Sequence, residues 1–459
     1  MTGTATSAEL LRRQREFFRT GATLDPAYRI AALKRFYRAL KERNKPLTDA
    51  LAADLGKCES EGYMCEVGLA LAETGFQYRH LRRWVRPRRT ATSLVNSFGR
   101  SYSLAEPLGS VLIMAPWNYP VMLSFEPLAG AVAAGNTVIL KPSAYAPASS
   151  RAIAELIRTV FPPEHVAVVE GGRQENNDLL DLPFDHIFFT GSVAVGKTVM
   201  ERAARNLTPV TLELGGKSPV VIDRTSDIAL TAKRIAFGKL LNCGQTCIAP
   251  DYVLVHREVH DAFLGEMKRQ FDLQCPDPLH NSGFTHMVNE KHFRRVLGLI
   301  DEAKAVYGGG ADEKSLRIAP TILDGVTEDD PVMGEEIFGP VLPVLTVDSM
   351  EEAERFILAR PKPLALYVFT RDRAVADRFV KHVPFGGGCV NDTISHILAS
   401  NLPFGGVGNS GMGKYHGEHS FRTFSNEKAV VKKYLRPDLP MRYTPYKAVY
   451  EKLIRLIQR

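Results

Sequence analysis

Apolar residues fall at helical spacing near the start of the chain. Ile30, Leu33, Phe36, Tyr37 and Leu40 follow Asp25-Pro26, where the aspartate supplies an N-cap and the proline suits the first helical position. A longer helix is predicted from about Ser60 into an arginine-rich stretch, stopped by Pro87. Residues 94–104 then read as a hairpin with its turn near Phe98-Gly99. Beyond it the pattern changes to short apolar blocks separated by helical ones. Strands are predicted at 111–114, 137–140, 166–169 and 186–190, with helices at 125–134 and 149–160 between them. Such alternation implies a parallel sheet covered by helices on both faces. A second alternating region begins near Glu213 and runs to about Thr423, with strands at 218–222 and 252–255 around a helix ending near Leu241. The boundary between the two regions is placed near Thr211, just before Gly215-Gly216. A late strand is expected at 428–434, followed by a tail in which Tyr446, Val449, Tyr450, Leu453, Ile454 and Ile457 recur at helical spacing.

Length changes the picture first. A chain of 459 residues exceeds the roughly 250–300 residues at which a single core stops growing, so two or three domains are expected. With 45% hydrophobic and 24% charged residues it has the composition of a soluble globular protein. A net charge of +7 is a mild tilt, compatible with phosphate-bearing cofactors or anionic surfaces. The densest basic patch, Arg79, Arg82, Arg83, Arg86, Arg88 and Arg89, comes without aromatic stacking residues and reads as a solvated helix face, so no nucleic-acid partner is expected. The six cysteines form no disulfide framework, Cys-x-x-Cys pair or zinc spacing, so no metal site is expected. Residues 1–10 carry no apolar signal core, and no run approaches the ~20 apolar residues of a membrane span. The expectation is a reducing cytoplasm, where a thiol stays free for chemistry.

Two segments carry candidate chemistry. The strand at 186–190 runs into Gly191-Ser192-Val193-Ala194-Val195-Gly196-Lys197, which opens a helix. A helix N-terminus offers unpaired N–H groups and partial positive charge to a phosphate, while Gly191 frees the backbone to turn and Gly196 permits close packing. The spacing is neither the dinucleotide fingerprint nor a nucleotide-triphosphate loop, and by itself it describes a strand-to-helix turn equally well. The second segment is Gly244-Gln245-Thr246-Cys247-Ile248-Ala249-Pro250. An isolated cysteine usually packs as a small hydrophobe, but glycine, glutamine, threonine and proline around Cys247 belong to a loop, and a thiolate adds readily to a carbonyl carbon. Cys243 is read as packing nearby without reacting.

These residues also carry a family likeness. Pro116-Trp117-Asn118-Tyr119-Pro120, Phe189-Thr190-Gly191-Ser192, Leu212-Glu213-Leu214-Gly215-Gly216-Lys217, Gly244-Gln245-x-Cys247, Glu336-Ile337-Phe338-Gly339-Pro340 and Pro403-Phe404-Gly405-Gly406 stand in the order seen in the aldehyde dehydrogenase superfamily. The run from Asn409 to Gly417 resembles its class 3 branch, which includes fatty and aromatic aldehyde dehydrogenases. The resemblance spans about residues 10–435. It implies that Cys247 is the nucleophile, that the Asn118 amide and the Cys247 N–H hold an oxyanion, and that Glu213 activates water to hydrolyse a thioester. It further implies that Lys141, Gly191, Ser192, Gly196, Leu214, Glu336 and Phe338 bind NAD or NADP. Taken singly, Asn118 would read as a turn residue, Glu213 as a solvated strand end and Glu336 as a surface acid beside Glu335.

One position departs from the family pattern. After Lys141-Pro142-Ser143 many members carry a glutamate that contacts the adenosine ribose, and here Ala144 stands instead. Loss of that charge is expected to relax a preference for NAD and admit NADP. The expected architecture is α/β: a Rossmann-like NAD(P)-binding domain (1–88 and 106–211), a second α/β catalytic domain (212–423) and a small β bridging and oligomerisation element (89–105 and 424–440). An amphipathic tail (441–459) completes the chain, expected to dock on the protein or a partner subunit, with weak peripheral membrane contact as the sharper alternative. Exposed edges of the bridge favour a homodimer. The expected reaction is oxidation of an apolar aldehyde to its acid. A CoA-acylating relative would not need Glu213, an esterase would use the thiol without cofactor, and a non-catalytic protein would not need Cys247, Glu213 and Asn118 together.

Overall fold

A computed structural model describes residues 6–93 and 96–457. Leu94 and Val95, where the expected hairpin begins, and Arg459 lie outside the described residues. The N-terminal helices follow their local signals: Asp25 accepts the Ala27 N–H at 2.8 Å and caps Pro26–Glu42. The helix expected from about Ser60 is interrupted, with Glu59–Gly62, a π turn over Tyr63–Val67, and then Gly68–Trp84.

Two sheets organise the rest. The first has six strands in the order Gly411–Met412, Val210–Leu214, His186–Gly191, Ser110–Met114, Thr137–Lys141 and Val166–Val168. All neighbours are parallel except Gly411–Met412, which returns antiparallel beside Val210–Leu214. Ser110–Met114 and Thr137–Lys141 are buried throughout, as strands covered on both faces must be. The chain moves outward from Ser110–Met114 to Val166–Val168, then crosses back to His186–Gly191 on the other side. That reversal is a topological switch point, where ligands settle at the carboxyl ends of the strands. The helix Met122–Ala134 is buried on every side, and Gly130 there meets Ser420 so closely that a Cβ would lie 2.5 Å from the serine Cβ.

The second sheet has seven strands, in the order Ala305–Tyr307, Thr321–Leu323, Val341–Val347, Tyr252–His256, Pro219–Ile222, Ala365–Phe369 and Gly387–Val390. The change of sheet therefore falls between Leu214 and Pro219. The boundary expected at Thr211 cuts through the last parallel strand of the first sheet, and Gly411–Met412 restores a later piece of chain to that sheet. A third, antiparallel sheet joins Arg88–Thr90, Gly99–Pro107 and Ser425–Lys433. Phe98-Gly99 thus leads into the second strand of the hairpin instead of turning it, because Arg88–Thr90 already supplies the first. The late strand pairs with Gly99–Pro107 along its whole length, from Ser425–Pro107 to Lys433–Gly99. Among the described residues of the tail only Glu451–Ile457 is α-helical, and Tyr446, Val449 and Leu456 are exposed.

Candidate active site

Three connections converge. The first leaves strand Ser110–Met114 and carries Asn118; the second leaves His186–Gly191 and opens the helix Val193–Ala204; the third, between helix Ile228–Leu240 and strand Tyr252–His256, carries Cys247. The third loop takes its shape from three successive left-handed residues, Asn242 (φ 51°), Cys243 (φ 55°) and Gly244 (φ 72°). Gly244 is obligatory there, since a Cβ would lie 2.3 Å from the Gly339 carbonyl oxygen. Gln245 pins the bend: its amide donates to Asn242 O at 3.1 Å and His286 O at 3.0 Å, and its oxygen accepts Val288 N–H at 3.0 Å. Cys243 turns fully into the core, while Cys247 stays partly exposed.

The Asn118 and Cys247 loops are tied to one another. Asn118 Nδ2 donates to Gln245 O at 3.0 Å, Asn242 Nδ2 donates to Asn118 O at 2.9 Å, and Tyr119 Oη meets Thr246 Oγ1 at 2.7 Å. Asn118 is 3% exposed, so its amide is fixed within the protein and is no surface-turn residue.

Glu213 sits in the sheet with a strand on either side, opposite Thr190 and Gly411. It is buried, and among the described residues neither carboxylate oxygen has a hydrogen-bond partner. Burial pushes its carboxyl far above the usual carboxylate range, with Lys414 as the one opposing charge. Gly405 lies directly over it, where a Cβ would come 2.6 Å from Glu213 Oε1. A buried acid without donors is costly, and such groups collect at functional sites. Burial likewise raises the Cys247 thiol, as do the negative charges of Glu336 and Glu213, against the pull of backbone N–H groups at Cys247 and Ile248.

Two cavities, each of about 270 Å³, meet at this thiol. One is lined mainly by apolar groups, among them Met64, Met122, Phe237, Ile394, Leu398 and Phe404. The other runs past Trp117, Asn118, Gly191, Ser192, Gly215, Arg295, Glu336 and Phe338. Cys247, Glu213, Thr190, Leu123 and Leu214 line both.

The second cavity suits a dinucleotide. Ser192 caps the helix Val193–Ala204, whose N-terminus faces it. Gly196 brings that helix against Leu214, with a Cβ position 2.6 Å from Leu214 Cδ2. Glu336 lies over Gly215, where a Cβ would sit 2.0 Å from Glu336 Oε2, and its other oxygen is sealed without a donor. An orphaned carboxylate at the lip of a cavity is a ready acceptor for ligand hydroxyls. Phe338 holds φ 50° and stands edge-on to Trp117 at 5.5 Å. Lys141 lies apart from these two cavities, 3% exposed, donating to Pro142 O at 2.8 Å and Gly171 O at 2.7 Å; burial lowers its amine to about 8.

Sequence reasoning did not single out Lys57, Glu61, Glu66 or Asn242, which brace the loops from behind. None of them stands in a motif or a periodic apolar pattern. Among the described residues no cluster of His, Cys, Asp and Glu could hold a metal ion, and no helix is long and apolar enough to cross a membrane.

Fold and site together define an α/β enzyme built around a cysteine thiol at the meeting of two cavities. Residues 3–430 match the model of the aldehyde dehydrogenase family. The chain is 45% identical over 444 residues to the 4,4'-diaponeurosporen-aldehyde dehydrogenase of Staphylococcus aureus, covering 95% of both chains. It is 44% identical to the rat "Aldehyde dehydrogenase, dimeric NADP-preferring", covering 93% of this chain and 95% of the relative. Other relatives are named as aldehyde dehydrogenase family 3 members, in keeping with the expected class 3 branch. The solved structure described as the substrate-bound state of Staphylococcus aureus AldH superimposes with a TM-score of 0.97 at 42% identity, over 99% of this chain and 100% of that one. The chain belongs to the aldehyde dehydrogenase family, and its activity is oxidation of aldehydes to acids with NAD(P)+.

Proposed function

We propose that the substrate is an apolar aldehyde, aliphatic or aromatic, and that the reaction passes through a thioester on Cys247. The observation that carries this reading is the meeting of an apolar cavity and a polar one at a single thiol. Burial holds the thiol up, so it gives its proton to solvent water as it attacks, and Glu213, whose carboxyl is also held up, is the base in the same cavity for the later hydrolysis. Attack forms the S–C bond and moves the carbonyl electron pair onto oxygen. An amide has two N–H donors; Asn118 spends one on Gln245 O, leaving the second, with the Cys247 N–H, for that oxyanion. NAD(P)+, when bound, supplies the hydride acceptor. Collapse of the oxyanion breaks the C–H bond, its electron pair leaving as hydride, and gives the thioester. Glu213 then takes a proton from the water that attacks the thioester carbon and passes it to the departing Cys247 sulfur.

Gly191, Ser192, Gly196, Leu214, Glu336 and Phe338 would hold the cofactor along the second cavity, with Lys141 beyond it toward the adenosine ribose. Ala144 is exposed and uncharged, so we read the site as open to NADP as well as NAD. The buried, donor-free Glu213 favours hydrolysis over acyl transfer to CoA.

The exposed outer strand Ser425–Lys433, and the "dimeric" in the rat relative's name, support a homodimer, testable by light scattering. All six cysteines are free, in keeping with a reducing cytoplasm. Exposed Tyr446, Val449 and Leu456 allow weak peripheral membrane contact. Deleting residues after Pro445 tests it: unchanged liposome binding removes the idea.

The decisive experiment is a panel of aldehydes read by NAD(P)H absorbance, on wild type and Cys247→Ala. Activity should rise with apolar chain length and vanish in the variant; retained dehydrogenase activity in Cys247→Ala rejects the nucleophile.

A further inference from the structure

Behind the loop that carries Asn118 lies a charge pair without a part in these steps. The side chains of Lys57 and Glu66 are both 0% exposed, with Nζ and Oε1 2.6 Å apart. Lys57 Nζ also donates to the Asn118 carbonyl at 2.8 Å and lies 3.9 Å from the centre of the Tyr119 ring. Glu66 Oε2 accepts the N–H groups of Val121 and Met122 at 2.9 and 3.0 Å, at the start of helix Met122–Ala134. One pair therefore grips the loop at Asn118 itself and again at Val121 and Met122.

The same stretch of chain reaches the nucleophile loop. Glu61 Oε1 accepts the Asn242 N–H at 2.8 Å, and Asn242 Nδ2 donates to Asn118 O at 2.9 Å and to Gln245 O at 3.0 Å. The π turn at Tyr63–Val67 makes this possible. At about 3.6 residues per turn, Glu66 and Glu61 would point to different faces of a regular helix. The extra residue of a π turn brings the two acids round to one side, and such turns recur at functional sites.

A buried ion pair adds little stability over an apolar replacement of equal volume. Packing alone therefore does not explain this one. The Lys57 ammonium has three donors, enough to serve a carboxylate and a carbonyl at once while facing an aromatic ring, which an apolar side chain cannot do. We infer that Lys57, clamped by Glu66, is a positioning residue for the reaction: it fixes the Asn118 backbone and so aims the Asn118 amide at the oxygen of the carbon bonded to Cys247. The inference rests on the proposed oxyanion role of Asn118.

The test is a double-mutant cycle of Lys57→Met with Asn118→Ala, read as kcat, KM and cofactor Kd. Lys57→Met should lower kcat by about 100-fold, the scale of a ~1 Å misplacement at a reacting centre. Aldehyde KM and the calorimetric Kd for NAD(P)+ should stay within about twofold, because only the transition state uses the amide. Added to Asn118→Ala, Lys57→Met should cost less than about threefold more, since its effect passes through the missing amide. Full multiplication of the two losses, or a wild-type kcat in Lys57→Met, overturns the inference while the Asn118 loss still stands. A wild-type kcat in Asn118→Ala instead sinks the oxyanion reading and the inference with it. Should Lys57→Met not fold, Glu66→Gln enters the same cycle; it keeps an acceptor for Val121 and Met122 but loosens the ammonium. Its kcat should fall about tenfold with the same lack of additivity, and an unchanged kcat there overturns the inference.

Discussion

Replacing Glu336 by glutamine should stabilise the protein, and by an amount that grows with pH. Glu336 Oε1 is sealed from solvent and meets no donor. Burial first, then repulsion from Asp251, lifts its carboxyl from 4.5 to about 8, against the Gly216 N–H, Lys217 and Arg295. A carboxyl raised on folding leaves stability intact below its unfolded value, near pH 4.5, and withdraws it as pH climbs toward 8. At about 1.4 kcal/mol per pH unit between the two values, the loss approaches about 5 kcal/mol above pH 8. The residue is partly exposed, and solvent screening cuts this to about 2–3 kcal/mol. Glutamine keeps the shape and the acceptor for Gly216 but cannot ionise. Melting temperatures of both proteins from pH 4.5 to 9 check the reasoning. The curves should coincide at the acid end and separate by about 2–3 °C at the alkaline end, at roughly 1 °C per kcal/mol for a chain of this size. Saturating NAD(P)+ should narrow the gap, because ligand hydroxyls would give the wild-type carboxylate its missing donors. A gap independent of pH, or a wild type that gains on the variant as pH rises, refutes the account.

Other consequences follow from single residues. Glu213→Gln should release about one equivalent of NAD(P)H per site in a rapid burst and then stall, with steady-state turnover down by about 10²–10⁴; stopped-flow absorbance with no burst, or full turnover, counts against Glu213 as the hydrolytic base. Because its carboxyl is held above the usual range, wild-type deacylation should accelerate as pH rises, and Glu213→Gln should flatten that profile. Gly244→Ala puts a Cβ 2.3 Å from the Gly339 carbonyl at φ +72°. The clash is with backbone, which cannot swing aside as a side chain could, so a loss of at least about 2 kcal/mol of stability, with most of the activity, is expected by calorimetry and kinetics. Ala144→Glu should cut kcat/KM with NADP at least about tenfold while sparing NAD, by placing charge against a 2′-phosphate; a wild type that already prefers NAD strongly removes the premise.

What the sequence discloses and what it hides divide along a physical line. Asp25-Pro26, the glycine after Ala134 and the Ser192 cap act on the nearest turn of backbone, so their meaning is local and the elements they bound lie where expected. Cys247 declares itself through a loop too polar for a core. Glu213 and Asn118 do not, and only the family likeness picks them out. The reason is non-local pairing: Val210–Leu214 is flanked by a parallel neighbour and by Gly411–Met412 from late in the chain. No pattern around residue 211 reveals that second neighbour, so a boundary placed there looks reasonable and splits a strand. The bracing groups are hidden more deeply. Lys57, Glu61 and Glu66 stand in a charged stretch that carries no motif, yet Lys57 and Glu66 are 0% exposed, the latter within the π turn at Tyr63–Val67. Burial that contradicts local polarity must be offset by partners elsewhere in the fold. Here the partners are Asn118 O, Asn242 N–H and the start of helix Met122–Ala134. Local rules thus fail around the nucleophile for one reason: polar chain has folded inward to hold reacting groups still, and that inversion marks a site even where no motif does.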